Sequence, residues 1–171
     1  ISLGGNLWSL EVLEKIKELS KADKAGVAAI MDSPTTHKNT AGAKELCTTR
    51  KIEYKLIPNM KYNDFLQELS TCSKFVFLPK TPETCSRVLF EARMLGLSVL
   101  TNRNSGAVHE DWFVLKSADL VDRMTQKREE IGDLVEQSFD NCLDSKIRLY
   151  PEIKKKDFKI SLITSLYNGD K

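Results

Sequence analysis

Two glutamates eight residues apart, Glu83 and Glu91, have a type and spacing suited to binding a ligand rich in hydroxyl groups. Glu91 falls on the second turn of a predicted helix, and Glu83 lies in the loop before that helix. A carboxylate in the first of these positions can accept two hydroxyl hydrogen bonds at once, as the diol of a ribose offers. Glu83 would then face whatever lies beyond the phosphates of a nucleotide. The alternative is chance, because 29% of the residues are charged.

Two backbone segments add the features of an anion site. Gly4 and Gly5 follow the apolar run of residues 1–3 and carry no side chain that would block a ligand. Residues 79–86 lead into the helix of Glu91, whose first N–H groups are free to attract phosphate. The glycines form neither a GxGxxG motif nor a P-loop, so a tight strand-to-helix turn is the alternative interpretation.

The elements that must position these residues alternate along the chain. The predicted strands cover residues 1–3, 26–31, 52–57, 74–78 and 97–101. The predicted helices cover residues 9–21, 40–50, 62–69, 86–95 and 117–139, with Ser9 as an N-cap and Gly96 as a C-cap. This alternation predicts an α/β fold, a Rossmann-like doubly wound parallel sheet of about five strands with helices on both faces. With strand order 3-2-1-4-5, the ligand crevice would lie between the first and fourth strands.

Composition excludes several classes of protein. The 26 Lys and Arg residues against 24 Asp and Glu give a net charge of +2, which argues against general nucleic-acid binding. Four cysteines without a CxxC pair, and only two histidines, predict neither a structural zinc site nor a disulfide scaffold. We therefore expect no metal, and a reducing, cytoplasmic compartment. No apolar run approaches the roughly 20 residues of a membrane span.

The sequence is expected to divide into three parts of a longer polypeptide. Residues 1–143 form the predicted Rossmann-like domain, residues 144–158 a polar linker, and residues 159–171 the start of a truncated second domain. The apolar tail is expected to dock on a sheet edge or to cause self-association, because an orphan strand has unpaired backbone groups.

Residues 75–100 resemble the signature of retaining nucleotide-sugar glycosyltransferases. In that family a strand ends in proline or serine and is followed by E-x7-E, by an EA-small-x-x-G-x-P-V motif, and by a later Gly with Glu. The matching positions here are Pro79, Glu83 with Glu91, residues 91–99, and Gly106 with Glu110. The resemblance covers residues 50–112 well and implies the carboxyl-terminal, donor-binding half of the two-Rossmann-domain (GT-B) architecture.

The resemblance also implies a role for each matching residue. Glu91 would bind the ribose hydroxyls, and Glu83 would be the catalytic-site residue beside the donor sugar. The donor is a nucleotide-diphosphate sugar, and no separate cofactor is implied. The remaining donor-binding positions are Gly4 and Gly5 at the diphosphate and the backbone amides of Thr84, Cys85, Ser86 and Arg87 at the sugar-phosphate.

The sequence departs from the family where the diphosphate should bind. Residues 6–9, Asn-Leu-Trp-Ser, stand where family members usually have an Arg and a Lys, and Ser98 replaces the usual proline. Lys38, Lys80 or Arg87 could supply the missing positive charge.

Residues 159–170 resemble the opening strand and YNG-like turn of the other large glycosyltransferase class, the single-domain (GT-A) type, which is often metal-dependent. The alternative is an edge strand that ends in an Asn-Gly turn.

These observations predict a glycosyltransferase fragment that binds a nucleotide-diphosphate sugar for transfer to an unknown acceptor. We expect the amino-terminal domain that holds the acceptor in this family to be missing here, and therefore binding with little or no transfer. The alternative is a non-catalytic Rossmann-like binding or assembly module of a larger polypeptide.

Overall fold

A computed structural model describes residues 5–149, with side chains to residue 138. Its helices are α1 (Leu10–Leu19), α2 (Thr40–Thr49), α3 (Tyr62–Ser70), α4 (Arg87–Met94) and α5 (Ser117–Leu149). Its strands are β1 (Ala25–Met31), β2 (Tyr54–Ile57), β3 (Cys72–Phe77) and β4 (Ser98–Thr101). Short 3₁₀ helices cover Thr36–Lys38, Gly106–His109 and Asp111–Val114.

Local sequence signals set the helix ends. Ser9 caps α1, because its hydroxyl oxygen accepts a hydrogen bond from the backbone N–H of Val12 at 3.2 Å. Gly96, just after α4, has a φ of +89°, a conformation that glycine adopts without steric cost, and its N–H donates to the carbonyl of Arg93. The predicted N-cap Ser9 is thus confirmed, and Gly96 ends the helix one residue after Leu95, which is the C-cap residue itself.

The four strands form one all-parallel sheet in the order β2-β1-β3-β4. The α/β, Rossmann-like class is confirmed, and β3 is central as expected, although the described sheet has four strands rather than five. The predicted order 3-2-1-4-5 is wrong. β1 pairs with β2 along one edge (Ala28 opposite Tyr54) and with β3 along the other (Ala29 opposite Phe75), so no edge is free for residues 1–3 between them. Residues 1–4 themselves lie outside the described part.

Helices cover both faces of the sheet, but unequally. α2 packs on one face over a small buried cluster of Ala28, Ile30, Ala43, Cys47 and Val76. On the opposite face α3 and α4 pack against the strands, and α1 and α5 pack on these helices to enclose a much larger core. At its centre Phe90 lies between Trp8 and Trp112, with ring centroids 5.6 and 4.2 Å away.

Helix α5 is longer than predicted. It packs on α1 and α4 through a buried stripe of Leu120, Val121, Met124 and Ile131, and it continues to Leu149, six residues into the predicted linker. No glycine or proline interrupts residues 133–150, so nothing in the sequence stops the helix earlier. The rest of the predicted linker and the tail at 159–171 lie outside the described residues. None of the described helices is both long and apolar enough to cross a membrane.

Candidate functional site

The connections between strands run toward opposite edges of the sheet on the two sides of the boundary between β1 and β3. A ligand crevice is expected at this boundary. The crossover from β1 leads to β2 on one side, whereas the crossover from β2 leads to β3 and then β4 on the other. Ligands of such sheets bind beyond the carboxyl ends of the strands at this switch point. The loop opposite residues 79–86 is therefore residues 32–39, which follow β1, and not the loop of Gly4 and Gly5.

Gly5 lies elsewhere. A Cβ atom built on Gly5 would be 3.7 Å from side-chain atoms of Lys127 and Ile131, which places this glycine against α5. Gly5 does not line the cleft described next, and Gly4 is outside the described residues. The predicted approach of Gly5 to a ligand thus has no support from its position.

A cleft of about 440 Å³ opens at the carboxyl ends of β1 and β2. Its walls come from those two strand ends and from the facing sides of α3 and α4. They comprise residues 31–35, residues 57–60, Tyr62, Phe65, Arg87, Val88 and Glu91. The charged side chains among them are Asp32, Arg87 and Glu91, and most of the others are apolar or small.

Glu91 is the buried charge of the cleft, with 2% of its surface exposed. Its Oε1 accepts hydrogen bonds from Trp8 Nε1 at 3.1 Å, from the Tyr62 hydroxyl at 2.6 Å and from Arg87 Nε at 3.3 Å. Within residues 5–138 all the donors to the Glu91 carboxylate converge on this one oxygen. The carboxylate is therefore held in one orientation, with Oε2 left for another donor.

Burial raises the pKa of Glu91 above its ordinary value of 4.5, although the hydrogen bonds from Tyr62 and Trp8 and the charge of Arg87 favour the ionised form. The pKa of the Tyr62 hydroxyl is raised as well, by burial and by the adjacent Glu91 carboxylate, so this hydroxyl stays protonated and remains a donor. The cluster is thus a carboxyl group with three fixed donors.

The raised pKa of Glu91 predicts a pH-dependent stability difference. A carboxyl with a higher pKa in the folded state contributes stability below about pH 4.5 that is lost as pH rises through the folded pKa. The glutamine of Glu91→Gln does not titrate. The melting temperature of this variant, relative to that of the wild type, should therefore increase as pH rises from 4 to 8. Thermal unfolding of both proteins across this range measures the difference, and a gap that stays constant with pH would contradict the expectation.

Glu83 lies at the switch point, outside the walls of the cleft. Its Oε1 accepts a hydrogen bond from Lys38 Nζ at 2.8 Å, and that ammonium also lies 5.2 Å from the centre of the Phe77 ring. Its Oε2 is buried and has no hydrogen-bond partner among residues 5–138. The ion pair joins the loop after β1 to the loop after β3. The structure thus brings Glu83 together with Lys38, and Glu91 together with Arg87.

The backbone of Glu83 is fixed by the loop after β4. Its N–H donates to the carbonyl of Asn104, and its carbonyl accepts from the N–H of Gly106, both at 2.8 Å. These bonds form an isolated parallel bridge between Glu83 and Ser105. The bridge fixes the backbone position of Glu83, and the ion pair with Lys38 fixes the position of its carboxylate.

The other predicted site residues occupy the approach to α4. Ser86 is the buried N-cap residue, Thr84 is exposed, and the carbonyl of Cys85 accepts a bond from the Asn6 side chain at 3.4 Å. Burial raises the pKa of the Cys85 thiol, as does the nearby charge of Glu110, so this cysteine is not an activated thiolate. The side chain of Lys80 is exposed, and its backbone N–H donates to the carbonyl of His37.

Trp8 and Tyr62 are the site residues that sequence reasoning missed. Trp8 reads as a packing residue, and Tyr62 as the start of a helix, and they are 83 and 29 residues from the carboxylate they bind. No local spacing reveals such contacts. Among residues 5–138, no group of three or more His, Cys, Asp or Glu side chains is arranged to hold a metal ion.

Comparison with known proteins gives no relative. No family model matches the sequence, and neither a curated protein nor a solved structure matches it.

Proposed function

We propose that this chain is the donor-binding half of a glycosyltransferase and binds a nucleotide-diphosphate sugar. The observation that carries the proposal is the buried Glu91 carboxylate at the wall of the cleft, with Oε1 held by three protein donors. A carboxylate with its second oxygen available is suited to accept hydrogen bonds from the two hydroxyls of a ribose.

The shape and chemistry of the cleft fit a nucleoside. A volume of about 440 Å³ falls within the range of small-molecule sites, which is roughly 300–1,000 Å³. Ile57, Met60 and Phe65 offer apolar surface to a base on the side of β2 and α3, and Glu91 faces from α4. In this arrangement the base lies at β2, and the ribose lies toward the start of α4.

The donor sugar would then lie at the switch point. The loop that leads from β3 to α4 carries Glu83 there, and Lys38 holds its Oε1. The buried Oε2 of Glu83 lacks a donor among residues 5–138, and a sugar hydroxyl has the chemistry to supply one. In the proposed function Glu83 contacts the sugar, and the amides of residues 84–87 face the sugar-phosphate.

Calorimetric titration with uridine, guanosine and adenosine diphosphates tests the proposal. At least one of the three should bind, and Glu91→Gln should weaken that binding by about 1–3 kcal/mol, the scale for lost hydrogen bonds to a charged acceptor. Glu45→Gln is the matched control, because Glu45 is exposed on α2, across the sheet from the cleft. Equal affinity in the wild type and Glu91→Gln would contradict the assignment of Glu91.

A non-catalytic Rossmann-like module is the second candidate, favoured by one observation. The ammonium of Lys38 already forms an ion pair with one oxygen of Glu83. Joining the loops after β1 and β3 would by itself explain this pair, without a ligand. Failure of all three diphosphates to bind at millimolar concentration would favour this candidate over the transferase half.

A further inference from the structure

We infer that the Arg87 side chain is the phosphate-binding group of this site, clamped in place by Trp8, Tyr62 and Glu91. The inference rests on the proposed function and identifies which cation neutralises the diphosphate of the donor. Arg87 is the first residue of α4 and lines the cleft, and 38% of its side chain is exposed.

The clamp places the guanidinium over two aromatic rings and leaves its outer edge, which carries the two terminal amino groups. The guanidinium carbon lies 5.5 Å from the centre of the Trp8 ring and 5.6 Å from the centre of the Tyr62 ring. These distances are in the range of cation–π contacts. Nε donates to Oε1 of Glu91 at 3.3 Å, and the guanidinium also interacts with the Tyr62 hydroxyl. Its two terminal amino groups make no other hydrogen bond among residues 5–138 and are available to a ligand.

A guanidinium fixed in this way is suited to phosphate. Its terminal N–H groups form a planar fork that matches two phosphate oxygens, and immobilisation by the two rings lowers the entropy lost on binding. Glu91 contacts the same side chain, so a group bound to Glu91 and a group bound to the outer edge of Arg87 would be neighbours. A ribose and its attached diphosphate have this spacing along one molecule.

The other candidate cations are less suited. The ammonium of Lys38 is engaged by Glu83 at 2.8 Å and lies over the ring of Phe77, so binding phosphate would cost it the ion pair. Lys80 has an exposed side chain and does not line the cleft. Among residues 5–138, Arg87 is thus the one cation in the cleft wall, and the other charged groups there are the carboxylates of Asp32 and Glu91.

The test separates phosphate binding from nucleoside binding. The affinity of the chain is measured by calorimetry for a nucleoside and for its diphosphate, in whichever of the uridine, guanosine and adenosine series binds. The wild type should prefer the diphosphate by roughly ten- to hundredfold, the scale of charge-assisted hydrogen bonds. Arg87→Gln should lose most of this preference, and Arg87→Lys should retain an intermediate part, because it keeps the charge without the fork.

Arg50→Gln, at the exposed C-cap of α2, is the control with the same change of charge and should keep the wild-type preference. The inference fails if Arg87→Gln keeps the preference, or if it weakens nucleoside and diphosphate by the same factor, the result expected of a merely structural role. It fails too if Lys38→Met removes the preference while Arg87→Gln does not; in each of these cases the proposed function survives. Binding of neither compound to the wild type would instead overturn the proposed function and, with it, the inference.

Discussion

Replacing Phe90 with alanine is expected to lower the free energy of unfolding by about 3–5 kcal/mol, the usual cost of emptying a buried aromatic site. Phe90 is fully buried and lies between Trp8 and Trp112, at 5.6 and 4.2 Å between ring centroids. Its removal leaves a cavity that the sheet beneath and the two rigid indoles cannot easily fill. Urea denaturation of both proteins, followed by circular dichroism, measures the loss.

The same substitution should also weaken the site. Trp8 stands between Phe90 and the Glu91 carboxylate, to which it donates a hydrogen bond, so a cavity beneath the indole releases one of the three donors. Leu10→Ala is the control, because 57% of Leu10 is exposed, and its truncation should change stability by less than about 0.5 kcal/mol. Comparable losses in the two variants would show that the aromatic stack does not organise this core.

Replacing Gly106 with alanine is expected to cost about 1–3 kcal/mol, the range for forcing extra atoms into a packed region. A Cβ on Gly106 would lie 2.4 Å from the backbone carbonyl oxygen of Thr84, too close for any contact. The Gly106 N–H donates to the carbonyl of Glu83, so relief of the clash must pull apart the bridge that holds Glu83. Chemical denaturation measures the loss of stability.

Gly132→Ala is the matched control for Gly106→Ala. Gly132 lies within α5, and apart from the backbone of its own helix a Cβ there would meet no atom of residues 5–138 within 4 Å. Alanine should therefore raise stability by up to about 1 kcal/mol through its higher helix propensity. The steric argument is wrong if Gly106→Ala proves as stable as the wild type, or if the two variants change stability in the same direction.

Sequence periodicity predicted the elements well, because each is decided by its own residues. The helical stripes and the cap signals of Ser9 and Gly96 placed α1 to α4 within a few residues of their observed ends. Strand order depends instead on pairing between segments that are far apart in the sequence. The apolar run at residues 1–3 looks like any other strand, and nothing local says that β1 already has β2 and β3 on its two edges.

The candidate site was predictable to the same extent. The position of Glu91 one turn inside α4 followed from helix spacing, but its three donors come from elements far apart in the chain. The pairing of Lys38 with Glu83 depends on β1 and β3 being neighbours, so the error in strand order hid it. It also gave Gly5 a place in the crevice, whereas its surroundings are side chains of α5.

The thin cover on one face of the sheet has a kinetic consequence. Because α2 is the one helix on that face within residues 5–149, over five buried side chains of small or medium size, its amide protons should exchange with solvent through a sub-global opening that leaves β3 protected. Each opening also frees Asn39, whose side chain accepts from the N–H of Gly42 at the start of α2 and donates to the carbonyl of Leu78. The loop that carries Lys38 is thereby loosened each time. In the proposed function, the opening rate of α2 would then limit how quickly the donor binds at the switch point and dissociates from it.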